Sequence, residues 1–214
     1  DSHVGYLNAF VPGWLEAMER DYSSPALVGW CPLNETTPRR REDTFRNIYN
    51  ITRAIDPYRP IIDSSGYVHV VTDIYDVHDY EQNVDTFTAH YMPLKTGEGE
   101  PFWNGEGFQS PFAKYDGKKP YFVSEFGGAH WDENNENRKE SWGYGNAPVD
   151  EKEFLDRFRA LTEVLLFQPN ISGLCYTQLT DVEQEVNGLY TYDRHAKFDP
   201  ALIRAVLEQK AAIE

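Results

Sequence analysis

One stretch of sequence, residues 120–128, constrains the fold more than any other; it reads Pro-Tyr-Phe-Val-Ser-Glu-Phe-Gly-Gly. Residues of strand character run into a carboxylate, Glu125, and two glycines follow at once. A β-strand that ends in this way places its acid at the rim of a sheet, where α/β-barrel enzymes keep their catalytic residues. Residues 25–35 have the same shape, since an apolar run there leads to Asn34 and Glu35. We therefore expect a pair of carboxylates, each at the end of its own strand.

Strand-like and helix-like patterns alternate along the chain. The predicted strands are residues 26–30, 60–65, 74–78, 121–125 and 171–177. The predicted helices are residues 4–20, 44–55, 150–167 and 199–213, and most of residues 81–119 is predicted as a long loop. Such alternation is typical of parallel strands joined by crossover connections. The sequence thus predicts an α/β fold, with residues 1–214 forming a single domain that has fewer strand–helix units than a complete barrel.

Charge and composition exclude several kinds of partner. The net charge of −15 repels nucleic acid and anionic membranes, so neither is an expected partner, whereas a neutral ligand is compatible with it. The two cysteines, Cys31 and Cys175, do not form a disulfide framework. Aromatic residues make up 14% of the chain, and two interpretations stay open, namely packing in the core and a groove with stacking platforms.

A carboxylate pair suits the hydrolysis of glycosidic bonds. In retaining glycosidases one carboxylate attacks the sugar while the other protonates the leaving oxygen, and the two lie roughly 5–5.5 Å apart. Asn34 would supply an amide for a sugar hydroxyl, and the indoles of Trp30 and Trp131 would stack on a pyranose face. The alternative is that Glu35 and Glu125 are two ordinary surface glutamates.

Two motifs resemble those of glycoside hydrolase family 2. Residues 25–35, Pro-Ala-Leu-Val-Gly-Trp followed by Leu-Asn-Glu after two further residues, resemble the acid/base signature of that family. Arg20 and Asp21 match the segment that precedes the signature. Residues 123–127, Val-Ser-Glu-Phe-Gly, resemble the nucleophile strand.

A third match lies near the C-terminus. Residues 176–183, 187–189 and 192–194 resemble the barrel-closing segment of a bacterial β-galactosidase and β-glucuronidase-like branch of the family. Together the matches span residues 20–194. The chain departs from the family at Ser23 and Ser24, where the family usually has an Asn-His pair.

The resemblance implies a partial (β/α)8 TIM barrel, in which this chain supplies strands 4–8 with their helices. It implies that Glu35, at the end of strand 4, is the general acid/base, and that Glu125, at the end of strand 7, is the nucleophile. The expected reaction is the hydrolysis of a β-glycoside with retention, by double displacement through a covalent glycosyl-enzyme.

The resemblance also implies parts that lie outside this chain. The N-terminal β-sandwich domains and barrel strands 1–3 are absent, so we expect the chain to be the C-terminal portion of the catalytic domain of a larger bacterial enzyme. Its expected partners are a carbohydrate substrate and those N-terminal domains, and an oligomer stays open. Family members can hold Mg²⁺ or Na⁺, but no residue is assigned as a ligand, because His78, Asp79 and His90 lack the spacing of a zinc cluster.

Further candidates surround the proposed nucleophile. His78 and Tyr80 lie at the end of the presumed strand 6, where either would hydrogen-bond Glu125 and hold it ionised; for His78 a purely structural role is the alternative. Three further candidates for contact with the substrate come from the loop after Glu125 and from the last strand, namely His130, Tyr176 and Gln178.

Two other functions stay open on sequence alone. The first is a non-catalytic carbohydrate-binding or scaffold fragment that keeps an aromatic groove. The second is another family of barrel glycosidases with the same Asn-Glu and Glu arrangement.

Overall fold

The computed structural model describes residues 2–36, 42–104, 115–132 and 141–214. Its elements in chain order are α1 (Ser2–Asp21), α2 (Glu42–Ile55), β1 (Tyr75–Asp79), α3 (Val84–Thr96), β2 (Tyr121–Phe126), α4 (Glu151–Leu166), β3 (Ile171–Tyr176) and α5 (Pro200–Leu207). The predicted α/β class is confirmed. In these ranges no helix is both long enough and apolar enough to cross a membrane.

The sheet has three parallel strands in the order β1-β2-β3. All five residues of β1 are buried. β2 buries Tyr121, Val123 and Phe126 completely, whereas β3 buries only Ile171 among its residues. β1 therefore has the continuous burial that is typical of a parallel strand covered on both faces.

The prediction of strands at residues 26–30 and 60–65 is wrong. Within the described residues, 26–30 and 60–65 form only isolated parallel bridges, Trp30 with Ile61 and Asn34 with Ser65. The side chain of Val28 is 83% exposed, so the apolar run before Trp30 is not a buried strand. An apolar run becomes a strand buried on both faces only where other helices or strands pack on both of its faces. The sequence of the run alone does not show whether they do.

Part of the predicted long loop is a helix, α3. Its N-cap Asn83 accepts a hydrogen bond from a backbone N–H of the first turn, and its C-cap Gly97 adopts a φ of 72°. Only Phe87 and Tyr91, four residues apart, are buried. Two buried positions and an internal Pro93 are too weak a periodic signal to predict a helix from sequence.

The ends of the other helices follow local signals. α1 runs through Pro12 without a break. Asp150 caps α4, and Asp199 caps α5 with Pro200 in its first turn. α5 ends at Leu207, earlier than the predicted residue 213.

The chain divides into two compact units. The first unit comprises Asp1–Val77 with Trp103–Tyr121, and the second comprises His78–Phe102 with Phe122–Glu214. One apolar cluster of the first unit is formed by Met18, Trp30 and Ile61. The prediction of a single domain over residues 1–214 stays a prediction.

The second unit has an aromatic core. Its largest members are Phe154 and Phe158 on α4 and Phe198 just before α5. The rings of Phe154 and Phe198 stack with centroids 4.2 Å apart. This contact fixes α4 against the start of α5, beside the sheet.

A buried carboxylate, Asp56, joins the end of α2 to Trp30 in the first unit. It is 0% exposed and accepts from Trp30 Nε1 at 2.9 Å and Arg59 Nη1 at 2.7 Å. Backbone N–H groups of Tyr58 and Arg59 also donate to it. Burial opposes the charge, but these donors outweigh it and lower the pKa of Asp56.

We expect Asp56→Ala to lower the free energy of unfolding by about 3 kcal/mol, because it leaves Arg59 and Trp30 without their buried acceptor. Since the folded pKa is lowered, this stabilisation is present above the unfolded pKa of about 3.9 and is lost as the pH falls through the folded pKa. Urea unfolding at several pH values measures both effects. As a control, Asp116→Asn removes an exposed carboxylate paired with Lys119 and should cost less than about 1 kcal/mol. Equal losses in the two variants would contradict the prediction.

Candidate active site

Glu125 lies at the end of β2, in the second unit. The strand ends one residue later, at Phe126, and the chain then turns through Gly127 and Gly128, with φ values of 81° and 70°. The Glu125 side chain is 25% exposed, whereas its neighbours Val123 and Phe126 are fully buried. The predicted order of strand, acid and glycine turn is therefore present, and the acid is accessible at the rim.

Two side chains from the end of β1 face the Glu125 carboxylate. The Tyr80 hydroxyl donates a hydrogen bond to Oε2, and His78 Nε2 lies 3.4 Å from Oε1. His78 and Tyr80 are two residues apart, so strand alternation puts both on the same side. The structure thus brings together three of the residues singled out by sequence.

Tyr80 is held rigidly as a neutral donor. Its burial and its hydrogen bond to Glu125 raise the pKa of the phenol, so Tyr80 keeps its proton. Its ring stacks on Tyr144, with centroids 3.5 Å apart and an interplanar angle of 4°. Tyr144 is itself anchored, because its N–H donates to the Gly128 carbonyl at 2.8 Å. A fixed donor of this kind favours the ionised form of the carboxylate that it contacts.

Asp79, between His78 and Tyr80, points to the other side of the strand and serves the fold. It is 2% exposed and accepts from Tyr91 Oη at 2.9 Å, and His90 Nδ1 lies 2.7 Å from the same oxygen. These contacts hold α3 on the end of β1. Sequence reasoning missed this anchor because it did not predict α3.

Gln82 is a second residue that sequence reasoning missed. Its Nε2 donates to the Gly127 carbonyl at 2.6 Å and to the Tyr80 carbonyl at 3.0 Å. It therefore links the glycine turn after β2 to the end of β1. No periodic or motif signal marks Gln82 or Tyr144, since both lie outside regular strands.

Glu35 lies in the first unit, in an unusual backbone conformation. Its φ is +46°, in the left-handed region that residues other than glycine rarely adopt. Its N–H donates to the Ser65 carbonyl, and the Ser65 N–H donates to the Leu33 carbonyl, each at 2.8 Å. Backbone strain of this kind concentrates at functional sites, where the surrounding structure maintains it.

The predicted stacking of Trp30 on a sugar is wrong. Trp30 is 5% exposed, and its Nε1 donates to the buried Asp56. Its ring meets Trp14 edge to face at 5.7 Å, so it belongs to the core of the first unit. Asn34, by contrast, is exposed beside Glu35.

Trp131 and His130 lie beyond the glycine turn of the second unit. Trp131 is partly buried, and its ring packs 6.1 Å from Phe154 and 6.0 Å from Phe198. His130 Nε2 lies 2.9 Å from Ser141 Oγ. Trp131 thus contributes to the apolar core, and the role of either residue in substrate binding stays a prediction.

Tyr176 is the last residue of β3, and Gln178 lies two residues beyond it. The Tyr176 ring contacts Phe126 edge to face at 5.6 Å, and burial raises the pKa of its phenol. Gln178 Nε2 donates to Asn187 Oδ1 at 2.8 Å, and Asn187 is 0% exposed. The segment that resembles the barrel-closing motif is therefore tied to the end of β3.

A carboxylate at the end of a parallel strand, hydrogen-bonded by a neighbouring tyrosine, is an arrangement suited to nucleophilic catalysis in an α/β enzyme. No protein-family model matches the sequence, and no curated protein does either. Solved structures do match in fold, among them several β-glucuronidases and a β-galacturonidase of glycoside hydrolase family 2.

Three of these structures illustrate the likeness. The β-glucuronidase of Faecalibacterium prausnitzii matches with a TM-score of 0.62 and 18% identity, over 92% of this chain and 34% of its own. The β-galacturonidase of Eisenbergiella tayi matches with a TM-score of 0.62 and 15% identity, over 92% of this chain and 36% of its own. The β-glucuronidase of Ruminococcus gnavus, in complex with D-glucuronic acid, matches with a TM-score of 0.69 and 14% identity, over 97% and 37%. The chain thus spans about a third of the length of these enzymes.

The close approach of Gly127 to Tyr176 yields a stability prediction. A Cβ at position 127 would overlap the Tyr176 ring at a φ of +81°, so we expect Gly127→Ala to cost about 2–4 kcal/mol. Gly117→Ala is the matched control, because Gly117 has a φ of +72° and nothing within 4 Å of an added Cβ. It should lose only about 1 kcal/mol, from backbone strain alone. Urea unfolding compares the two variants, and losses of equal size would contradict the packing argument.

Proposed function

We propose that this chain is the C-terminal part of the catalytic barrel domain of a family 2 glycoside hydrolase, supplying strands 4–8, and that the complete enzyme hydrolyses β-glycosides with retention. The observation that carries the proposal is the Glu125 carboxylate at the end of β2, with the Tyr80 hydroxyl bonded to one oxygen and His78 near the other. The likeness in fold to glycosidases of that family supports it.

In the first half of the proposed reaction, ionised Glu125 attacks the anomeric carbon of the sugar. The bond from that carbon to the leaving oxygen breaks, and Glu35 gives its proton to this oxygen. The product is an ester between the sugar and Glu125. In the second half Glu35 takes a proton from water, the water attacks the anomeric carbon, and the ester bond breaks.

Tyr80 and His78 tune the nucleophile in this scheme. Hydrogen bonds to the ionised form of a carboxylate favour its charge, so the Tyr80 donor suits Glu125 to the proposed role of nucleophile. The negative charge of each member of such a pair also raises the pKa of the other. The two acids therefore divide the roles of nucleophile and acid between them.

Substrate contacts are proposed for the remaining candidates, namely Asn34, His130, Trp131, Tyr176 and Gln178. The N-terminal domains of the complete enzyme would form the rest of the pocket. Because one matching enzyme holds D-glucuronic acid, β-glucuronides join neutral β-galactosides in the panel of substrates to be tested.

A second candidate is a carbohydrate-binding fragment without catalysis, favoured by the chain spanning about a third of the matching enzymes. Calorimetry with oligosaccharides separates the two. Binding by the chain with no hydrolysis by the complete gene product would support the fragment.

In the complete gene product, Glu125→Gln should lower the turnover of 4-nitrophenyl β-glycosides by at least about 10³-fold, because no nucleophile remains. Glu35→Gln should slow deglycosylation, and added azide should partly restore the rate by replacing activated water. Glu151→Gln, at an exposed position of α4, is the control and should keep the parental rate. An unchanged rate in Glu125→Gln would rule out the assignment.

Tyr80→Phe removes one donor from Glu125 and should raise the pKa of that carboxylate. Since the nucleophile must be ionised, the acidic limb of the pH profile of kcat/KM should move to higher pH. The maximum should fall by about 10–100-fold, the effect of a lost hydrogen bond to a charged group. Tyr192→Phe, at a position that is 65% exposed, should leave the profile in place. A Tyr80→Phe profile with an unshifted acidic limb would contradict the role of Tyr80.

A further inference from the structure

A buried ion network supports the Glu35 backbone within the first unit. Asp63, His69 and Asp76 are 0%, 7% and 1% exposed. His69 Nδ1 lies 2.9 Å from Asp63 Oδ1, and His69 Nε2 lies 2.8 Å from the Asp76 carbonyl oxygen. Burying three titratable groups together is costly, and the reaction proposed above gives none of them a chemical step.

The geometry requires His69 to carry both ring protons. A carbonyl oxygen only accepts hydrogen bonds, so Nε2 must be the donor toward Asp76. The Asp63 carboxylate oxygens act as acceptors in this network, because they accept three backbone N–H groups, those of Ser64, Val70 and Val71. Nδ1 must therefore donate to Asp63 as well. Burial opposes the resulting charge, but the hydrogen bond that His69 donates to Asp63 and the charge of Asp76 outweigh it and raise the pKa of His69.

The two aspartates hold the backbone of residues 64–66. Asp63 Oδ1 accepts from the Ser64 N–H at 3.0 Å. Asp76 Oδ2 accepts from Ser65 Oγ at 2.7 Å and from the Gly66 N–H at 3.2 Å. His69 joins the two carboxylates and balances one of their charges, so the segment is clamped from both sides.

This clamped backbone in turn holds Glu35. The Ser65 carbonyl accepts from the Glu35 N–H at 2.8 Å, and Ser64 Oγ accepts from the Thr36 N–H at 3.3 Å. The φ of +46° at Glu35 is strained for a residue with a side chain. It persists only while the facing segment stays rigid.

We propose that His69, bound as an imidazolium between Asp63 and Asp76, is a positioning residue that fixes the orientation of Glu35. This inference depends on the proposed role of Glu35 as the general acid/base. His69 acts through the Ser64–Ser65 backbone and makes no contact with substrate in the proposed reaction.

A positioning role has a signature that general destabilisation lacks. Acid catalysis matters for poor leaving groups and hardly at all for 2,4-dinitrophenolate, which leaves without a proton. Misplacing Glu35 should therefore lower kcat/KM for phenyl-type glycosides far more than for the dinitrophenyl glycoside.

The test measures kcat/KM of the complete enzyme for aryl β-glycosides whose leaving groups span a range of pKa values. We expect His69→Gln to lose about 10–100-fold with the poorest leaving group and less than about 3-fold with 2,4-dinitrophenolate. Glu35→Gln should show the same dependence with a steeper slope. The matched control is Thr52→Val, which removes the hydroxyl that accepts from Trp14 Nε1 elsewhere in the first unit and should show no dependence on the leaving group.

Each outcome decides the question. A uniform loss across the series in His69→Gln, or no loss, overturns the inference while leaving the role of Glu35 intact. If Glu35→Gln itself shows no dependence on the leaving group, the proposed function fails as well. Should His69→Gln not fold, Ser65→Ala replaces it, because it removes only the hydroxyl bonded to Asp76. A selective loss of kcat/KM with poor leaving groups in Ser65→Ala then supports the inference. An equal loss with all leaving groups, or no loss, overturns it.

Discussion

The candidate site depends on one arrangement, in which two side chains at the end of β1, His78 and Tyr80, face the Glu125 carboxylate of the adjacent strand. His78 and Tyr80 share one side of the strand end, and Glu125 lies at the end of β2, its neighbour in the sheet. Parallel pairing brings both strand ends to the same edge of the sheet. The remaining features, such as the Tyr144 stack and the glycine turn, stabilise this arrangement.

The two proposed catalytic carboxylates are held in place by different sets of contacts. Glu125 is fixed through its side chain, by the Tyr80 hydroxyl that donates to it and by His78 close to its other oxygen. Glu35 is fixed through its backbone, by pairing with Ser65 and by the buried aspartates beyond it. This division suits the proposed roles, because a nucleophile needs a stable charge whereas an acid/base must gain and lose a proton in one place.

Local signals predicted much of the fold and part of the site. The strand that carries Glu125 and the starts of the helices near residues 150 and 199 are marked by a few adjacent residues, so they could be predicted from sequence. The helix α3 could not, because its position depends on buried contacts at Phe87 and Tyr91 rather than on a long periodic stripe. For Trp30 the sequence predicted a surface for sugar stacking, whereas the structure places the indole in the core. The residues around Trp30 in the sequence do not reveal its hydrogen bond to Asp56, which lies 26 positions later.

The alternation around Asp79 has a consequence for the fidelity of folding. A shift of β1 by one residue against β2 would exchange the two sides of the strand. Asp79 would then lie beside Glu125, its bonds to His90 and Tyr91 would be lost, and the two carboxylates would repel each other. The same carboxylates that shape the candidate site thus penalise this misregistered sheet, so correct strand pairing and the arrangement around Glu125 form together.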